Sequence, residues 1–344
     1  MIDLNDLDAI TLLDPKDVYG SNAMFVDQCQ YMVDEFYGKT PGNVSDVRSL
    51  VISGMGGSAY GAHVVQSLYT SELKVPLVPV SDYHLPGFVD ATTLVLATSY
   101  SGTTEETVAT ANEAKAKGAR LAALTSGGTL GDFVNDGAAG IVFDPKLNPS
   151  GQPRLGTGYT VTGTLVLLNN LGLITISKDD FCGAIDEVRT AIGGIKTKAQ
   201  AMAKELEGFI PVTFASQHLV GNAHIIRNQL NETSKSFSAY EDVPELNHHL
   251  MEGLKYPSDK KLKAILITSN LYEAKHRRRM ELTKDVVQQN GMPALEFAPT
   301  GTTKLSQVLE VLAFGGYLTL YLGLIYGQDP SLIPWVDYFK AKLG

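Results

Sequence analysis

Residues 93–107 read TLVLATSYSGTTEET, a stretch in which an apolar run passes directly into a hydroxyl-rich turn and then into a helical pattern. The run Thr93–Thr98 does not alternate between apolar and polar residues, which is typical of a strand buried on both faces. Comparable runs alternate with helical stretches, so we expect an α/β fold with a parallel sheet between layers of helices. The strands expected in the first half are Val47–Ser53, Val75–Pro79, Thr93–Thr98, Arg120–Thr125 and Gly140–Phe143.

The same order of elements returns in the second half of the chain. Strands are predicted at Ile210–Ser216, Lys263–Ser269 and Pro293–Ala298, with helices at Ala223–Thr233 and Glu273–Gln289. Two copies of one α/β unit are therefore the economical inference. Outside the two copies we predict helices at Asp17–Tyr37, which Pro41-Gly42-Asn43 follows, at Lys178–Glu207 and at Ile333–Leu343.

Composition and charge limit the classes of function. The chain has 344 residues and a net charge of −9, which argues against a nucleic-acid partner because such proteins carry a basic surface. Cys29 and Cys182 match no metal or redox spacing and are interpreted as reduced cytoplasmic thiols. The apolar stretch Val311–Tyr326 is interpreted as a buried helix that is too short to span a membrane, and the N-terminus lacks the features of a signal peptide. We therefore expect a cytoplasmic protein.

Two turns form a candidate anion site. Ser99, Ser101 and Thr104 offer hydroxyls beside a predicted helix start, where backbone N–H groups and the helix dipole favour a phosphate monoester. In the turn Gly54-Met-Gly-Gly-Ser58, the glycines allow the backbone to approach a ligand closely. A small phosphorylated metabolite is therefore the first ligand to consider.

Two other interpretations of these turns stay open. Thr103 and Glu106 fit a capping box, and most capping boxes bind no ligand. The spacing Gly54-x-Gly56 resembles the start of a dinucleotide fingerprint, but Ala59 stands where its third glycine is expected. The dinucleotide site is the weaker hypothesis.

Three side chains are candidates for acid–base and electrostatic catalysis. Glu232 falls near the end of a helix and is a candidate general base, while His248 lies in a turn and is a candidate acid or base. Arg154 lies between a proline and glycines, where an oriented guanidinium can stabilise an enediolate oxygen. Each of them could instead be an ordinary solvated or salt-bridged side chain. His248 and His249 lack the helical spacing of a His-Glu-x-x-His motif, so we predict no metal site.

Five segments in order resemble one family. They are Gly54–Ser58, Ser99–Thr107, Pro153-Arg154 with Gly158-Tyr159, Asn231-Glu232 and Pro244–His248. Together they resemble the bifunctional phosphoglucose/phosphomannose isomerases, which are built from two sugar-isomerase (SIS) domains. The resemblance implies two SIS-type αβα sandwich domains, each with a mainly parallel, flavodoxin-like sheet. The expected division is an N-terminal helical segment (1–45), SIS domain 1 (46–177), a connecting helix (178–207), SIS domain 2 (208–328) and a C-terminal helix (329–344).

The resemblance also implies an activity and roles for individual residues. The activity is a metal-independent and cofactor-independent isomerisation of glucose 6-phosphate or mannose 6-phosphate to fructose 6-phosphate through a cis-enediol. Glu232 would move the proton between C1 and C2, and Arg154 would steady the intermediate. His248 of the other subunit of a homodimer would help to open the sugar ring. Lys340 corresponds by position to a lysine in the C-terminal helix of the family that also contributes to the reaction. The residues implied to hold the phosphate are Gly56, Gly57, Ser58, Ser99, Ser101 and Thr104.

The chain departs from the family pattern in two places. His249-Leu250 stands where the family commonly has Asn-Glu, and the segment Phe237–Asp242 is also unexpected. Both segments are expected to border the sugar pocket, so they bear on substrate preference more than on reaction type. Because SIS-type domains also serve as ligand-binding modules, a non-catalytic sugar-phosphate sensor is the alternative function.

Overall fold

The computed structural model describes residues 2–39, 44 and 46–343, so the predicted Pro41-Gly42-Asn43 turn lies outside the described residues. The first sheet is built from Ser49–Gly54 (β1), Leu77–Val80 (β2), Thr93–Thr98 (β3), Arg120–Thr125 (β4) and Ala139–Val142 (β5). All neighbouring strands are parallel, in the flavodoxin-type order β2-β1-β3-β4-β5. The α/β prediction is confirmed, and β3 and β4 have the predicted bounds.

The second sheet repeats this order with four strands. They are Ile210–Ser216 (β6), Ala239–Val243 (β7), Leu262–Ile267 (β8) and Ala294–Phe297 (β9). All pairs are parallel in the order β7-β6-β8-β9, so the first strand of each unit lies second in its sheet. β7 was not predicted, because it is a half-exposed edge strand that carries Glu241 and Asp242 in place of an apolar run.

Helices cover the sheets and connect their strands. In chain order they are Leu7–Leu13 (α1), Val18–Ala23 (α2), Phe25–Phe36 (α3), Tyr60–Leu68 (α4), Glu105–Ala116 (α5), Gly128–Asn135 (α6), Gly163–Asn170 (α7), Lys178–Leu206 (α8), Val220–Glu232 (α9), Leu250–Gly253 (α10), Ala274–Gln289 (α11), Lys304–Ile325 (α12) and Pro334–Leu343 (α13). Short 3-10 or π turns lie at Gly56–Ala59, Pro153–Leu155, Gly158–Thr162, Gln217–Leu219 and Glu245–His248.

The prediction of a single helix at Asp17–Tyr37 is wrong, because the structure has two helices there, α2 and α3. Met24 separates the two helices with a ψ of 3°, and its N–H bonds back to the end of α2. Asn22, two residues earlier, donates its side-chain amide to the Gly316 carbonyl of α12 (3.2 Å). The apolar periodicity continues through the break, so it could not reveal the change in backbone direction.

Helix α12 is longer than predicted. It begins at Lys304 after a capping box between Thr303 and Ser306, seven residues before the predicted start of the apolar stretch at Val311. Its 22 residues are long and apolar enough to cross a membrane, so the expectation that the stretch is too short is wrong. However, 94% of its most apolar window is buried, mainly against α8 and α9, and the prediction of a buried core helix is confirmed.

Candidate functional site

The candidate anion site lies at the carboxyl edge of the first sheet. β1 and β3 are neighbours there, with Gly54 beside Thr98, so the two predicted turns leave the sheet side by side. The Thr98 hydroxyl lies 3.0 Å from the Ser53 carbonyl and 2.9 Å from the Ser58 carbonyl. The Tyr100 N–H donates to the Ser58 hydroxyl (2.9 Å). These bonds join the turns into one unit, which we call the cradle (residues 54–58 and 98–104).

Hydroxyls line the cradle at the start of α5. Ser99 Oγ lies 2.8 Å from Thr104 Oγ1, and Ser101 Oγ lies 3.0 Å from Thr103 Oγ1. Helix α5 begins directly after Thr104, and no side chain of the described residues caps it, so the capping-box interpretation is wrong. The start of the helix is therefore left uncapped, which is the condition under which its first amides can bind an anion.

Two glycines shape the backbone of the cradle. Gly56 has a φ of +51°, in the left-handed region that favours glycine. A Cβ atom on Gly57 would lie 2.9 Å from both Cα and N of Arg154 and 3.0 Å from the carbonyl carbon of Pro153. The absence of a side chain at Gly57 therefore lets the cradle contact the backbone that carries Arg154.

The Arg154 guanidinium is almost fully enclosed by the protein. Its side chain is 2% exposed, and Nε donates to Thr233 Oγ1 (3.2 Å). Nη1 donates to Gln152 Oε1 (2.9 Å), and Nη2 donates to the carbonyls of Pro330 (2.8 Å) and Ser331 (3.0 Å). Arg154 therefore joins the first unit, the end of α9 and the segment that precedes the C-terminal helix.

Glu232 is the last residue of α9 and lies beside Arg154. Its Oε2 atom is 3.6 Å from Arg154 Nε, and 35% of its side chain is exposed. The end of α9 packs closely on α12, because a Cβ on Gly323 would lie 2.9 Å from the Thr233 carbonyl. The structure thus links the cradle to Glu232 through two contacts, Gly57 with Arg154 and Arg154 with Glu232.

Four charged groups interact in this region. Burial lowers the pKa of Arg154, while Glu232 and Asp329 act in the opposite direction. Desolvation, followed by the Arg154 charge, lowers the pKa of Lys235 to about 8, and Asp329 and Glu232 again oppose the shift. Burial and the Glu232 charge raise the pKa of Tyr60, which follows the cradle in α4. Such mutual perturbation is common at functional sites.

His248 does not reach this region within one chain. β7 ends at Val243 beside Ser216 at the end of β6, and the 3-10 turn that ends at His248 follows directly. Helix α9 starts at the same edge of the sheet and runs back over 13 residues, about 20 Å, to Glu232 near the start of β7. The structure therefore separates His248 and Glu232 to opposite edges of the second sheet.

Lys340 forms no salt bridge with Glu232 among the described residues. It lies on α13, whose residues are all exposed over the described range 334–343. The segment before α13 does belong to the region, because Pro330 and Ser331 accept from Arg154. Sequence analysis missed this segment, since a carbonyl acceptor carries no signal in residue type and Asp329-Pro330 indicates only a turn.

Comparisons with known proteins agree with the resemblance. The family model described as "Bacterial phospho-glucose isomerase C-terminal SIS domain" matches residues 195–343. A bifunctional phosphoglucose/phosphomannose isomerase of Caldicellulosiruptor bescii is 32% identical over 315 residues, which are 87% of this chain and 90% of that protein. The chain belongs to this isomerase family. A bifunctional phosphoglucose/phosphomannose isomerase of Aquifex aeolicus is 28% identical over 88% of this chain and 92% of its own length.

Solved structures show the same fold. A hypothetical protein from Thermus thermophilus superposes with a TM-score of 0.73 and 16% identity, covering 94% of this chain and 90% of that chain. The two mainly parallel sheets are thus those of the SIS fold, and the chain is a sugar-phosphate isomerase of this type. Within residues 2–39, 44 and 46–343, no group of three or more His, Cys, Asp or Glu side chains is arranged to hold a metal ion.

The second unit of this isomerase has a turn that corresponds to one in the cradle, but Gln217 stands there in the position of Gly56. Gln217 begins the 3-10 turn after β6 with a φ of +43°, as Gly56 does after β1. The Gln217 side-chain oxygen accepts the N–H of Glu273, which directly precedes α11 (2.8 Å). A protein side chain thereby takes the N–H of the residue that precedes α11, while α11 itself, like α5, has no side-chain cap among the described residues.

Three cavities lie mainly along the second unit of the isomerase. Their volumes are about 360, 510 and 740 Å³, and no residue of the predicted site lines any of these three. The second of them is lined by His63, His218, His224 and His276. The cavities therefore do not mark the site, which is defined by the contacts among the cradle, Arg154 and Glu232.

Proposed function

We propose that this isomerase interconverts glucose 6-phosphate and mannose 6-phosphate with fructose 6-phosphate through a cis-enediol, without a metal. One observation carries the proposal: the backbone of Arg154 contacts the cradle, while its Nε lies 3.6 Å from the Glu232 carboxylate. An anion site and a proton-accepting group thus lie on either side of one cation. This combination suits the isomerisation of a phosphosugar through an enediol, because the cradle would hold the phosphate, Glu232 would move the proton and Arg154 would stabilise the developing charge.

The cradle is proposed to bind the substrate phosphate. Its hydroxyls and the uncapped start of α5 supply hydrogen-bond donors, and the helix dipole favours the negative charge. Ser58 and Ser99 are buried and held by hydrogen bonds, whereas Ser101 is exposed and can turn toward a ligand. The proposed phosphate-binding residues remain Gly56, Gly57, Ser58, Ser99, Ser101 and Thr104.

Glu232 is proposed to transfer the proton between C1 and C2. Its carboxylate is fixed on one side by Arg154 and exposed on the other, so one oxygen can be oriented while a substrate approaches. A positioned general base typically contributes about 10²–10⁴-fold to the rate. Arg154 would stabilise the negative charge that develops on the enediolate, because its buried guanidinium interacts strongly with a nearby anion.

A homodimer would bring His248 to the site. His248 is exposed and lies about one helix length from Glu232 in its own chain, so it can assist ring opening only on another copy. Lys340, exposed on α13, is proposed to contribute to the same site. The five-part division of the chain, with SIS domains at 46–177 and 208–328, and the cytoplasmic location stay predictions.

The test of the proposal is the variant Glu232→Gln, which keeps the shape of the side chain and removes its basicity. We expect kcat for fructose 6-phosphate formation to fall by about 10²-fold or more, while inhibition by inorganic phosphate changes little. The assay is run with each aldose in buffer treated with a chelator. Glu207→Gln, at the exposed end of α8, is the matched control.

The outcome separates the candidate functions. Full activity in Glu232→Gln would exclude this carboxylate as the base. Loss of wild-type activity with the chelator would refute metal independence. If the wild-type protein binds hexose 6-phosphates without converting them, the sensor hypothesis replaces the isomerase.

A further inference from the structure

Lys235 lies at the end of α9 in a conformation that directs its side chain back toward the helix. Its φ is +56°, in the left-handed region that residues with a side chain rarely adopt. Nζ donates to the carbonyl of Glu232 (2.7 Å) and lies 3.4 Å from the carbonyl of Thr233. The ammonium group is thus attached to the backbone of the proposed base.

The same ammonium group also reaches the segment before the C-terminal helix. Nζ lies 3.4 Å from the Pro330 carbonyl, which also accepts from Arg154 Nη2 at 2.8 Å. The adjacent Asp329 carboxylate accepts from the N–H (2.8 Å) and hydroxyl (2.7 Å) of Ser331, which keeps the turn closed. Two cations, one from each unit, therefore hold one carbonyl of this segment.

We propose that Lys235 is a positioning residue that, together with Arg154, clamps Pro330 across the end of α9 and thereby holds the Glu232 carboxylate at the Arg154 guanidinium. The inference rests on the proposed function, because it assigns Lys235 a task in the same reaction. In this proposal Lys235 does not contact the substrate and acts only by positioning Glu232 and Arg154.

A lysine that only caps a helix would behave differently. A stabilising cap keeps or raises the pKa of its lysine, because the helix end favours the charge. At Lys235, desolvation and the positive charge of Arg154 lower the pKa, and the negative charges of Asp329 and Glu232 raise it. The lowering is larger, and the pKa is about 8. Because the pKa in the folded state lies below that of the unfolded chain, the unfolded chain binds more protons above pH 8. Lys235 is exposed, so solvent screens these charges, and the geometry separates the two roles: a cap contacts only the end of its own helix, whereas Nζ also reaches the Pro330 carbonyl.

The test compares Lys235→Met and Lys235→Arg with Lys204→Met, a matched exposed lysine in the last turn of α8. We expect Lys235→Met to lower kcat by about tenfold or more with KM within about twofold. In the wild type, kcat should decline above about pH 8 as Lys235 loses its proton. Lys235→Arg should restore kcat and move this decline to higher pH, since arginine stays charged.

Trp335 provides a readout that is independent of activity. It is the one tryptophan of the chain and lies on α13, directly after the clamped segment, with 82% exposure. If the clamp exists, Lys235→Met should lower the fluorescence anisotropy of Trp335, whereas Lys204→Met should leave it unchanged. An inactive wild type with this anisotropy difference would refute the proposed function and leave the clamp supported.

Two results would overturn the inference. One is a Lys235→Met variant with wild-type kcat and wild-type anisotropy. The other applies if Lys235→Met does not fold: a Lys235→Arg variant whose decline of kcat stays at the pH of the wild type would show that Lys235 does not control the reaction.

Discussion

Gly57→Ala tests whether contact between the cradle and Arg154 is needed for the reaction. The added Cβ would lie 2.9 Å from Cα and N of Arg154, whereas ordinary van der Waals contact begins at 3.4 Å. Ordinary contact is restored when the two backbones move apart by 3.4 − 2.9 = 0.5 Å. The atoms that Cβ meets are main-chain atoms, so no flexible side chain can make room.

The expected effect is larger on catalysis than on folding. Overpacking of a closely packed contact typically costs about 1–3 kcal/mol of stability. A displacement of about 1 Å in a catalytic arrangement can lower the rate about 10²-fold, so a shift of half that size should lower kcat/KM by about tenfold. The inhibition constant of inorganic phosphate should rise as well, because the cradle itself is displaced.

The assay measures kcat/KM for fructose 6-phosphate formation, inhibition by inorganic phosphate, and urea unfolding. Gly183→Ala is the matched control, because a Cβ at this exposed position of α8 meets no atom within 4 Å and the residue has no positive φ. It should keep full activity and gain about 0.5–1 kcal/mol from the higher helix propensity of alanine. The reasoning is refuted if Gly57→Ala keeps kcat/KM and phosphate inhibition within about twofold of the wild type.

Two further predictions concern a buried histidine and the pairing of two chains. Burial lowers the pKa of His224 to about 3. Between pH 6.5 and 3 the unfolded chain therefore binds a proton at this histidine that the folded chain does not bind. The free energy of unfolding consequently falls as the pH falls through this range. His224→Phe should reduce the loss in unfolding free energy between about pH 7 and pH 5 in urea titrations, and an unchanged pH dependence would contradict this assignment. A mixture of refolded Glu232→Gln and His248→Ala chains should recover about a quarter of wild-type activity, because half of the randomly formed dimers carry one intact site out of two. If the mixture stays inactive while both variants form dimers with each other, the two residues do not act in a shared site.

The fold was largely accessible from the sequence because its central strands are buried on both faces. Apolar runs such as Thr93–Thr98 and Ile210–Ser216 are bounded by polar or glycine-rich turns, and both strands have the predicted limits. The edge strand β7 lacks such a run, and the break at Met24 falls inside a continuous apolar pattern. Both features depend on tertiary contacts, which periodicity does not report.

The residue types of the candidate site could be predicted from the sequence, but the contacts that join these residues to the rest of the structure could not. Serines, glycines and Glu232 were recognisable from the chemistry they can perform. The enclosure of Arg154 was not, because two of its acceptors are the carbonyls of Pro330 and Ser331, 176 and 177 residues away in sequence. The burial and the Arg154 charge that lower the pKa of Lys235 also depend on long-range contacts.

The two halves of the chain place the proposed catalytic residues at different edges of the second sheet. Each unit offers one carboxyl edge, and in the second unit the Gln217 side chain accepts the N–H of Glu273 directly before α11, a contact that the cradle of the first unit lacks among the described residues. Glu232 reaches this cradle because α9 ends at the amino edge of the second sheet, next to Arg154. His248 lies in the short turn directly after β7, which places it at the opposite, carboxyl edge of this sheet. The proposal that Glu232 and His248 act on one substrate therefore requires a second chain, and the mixture of the two variants tests that requirement.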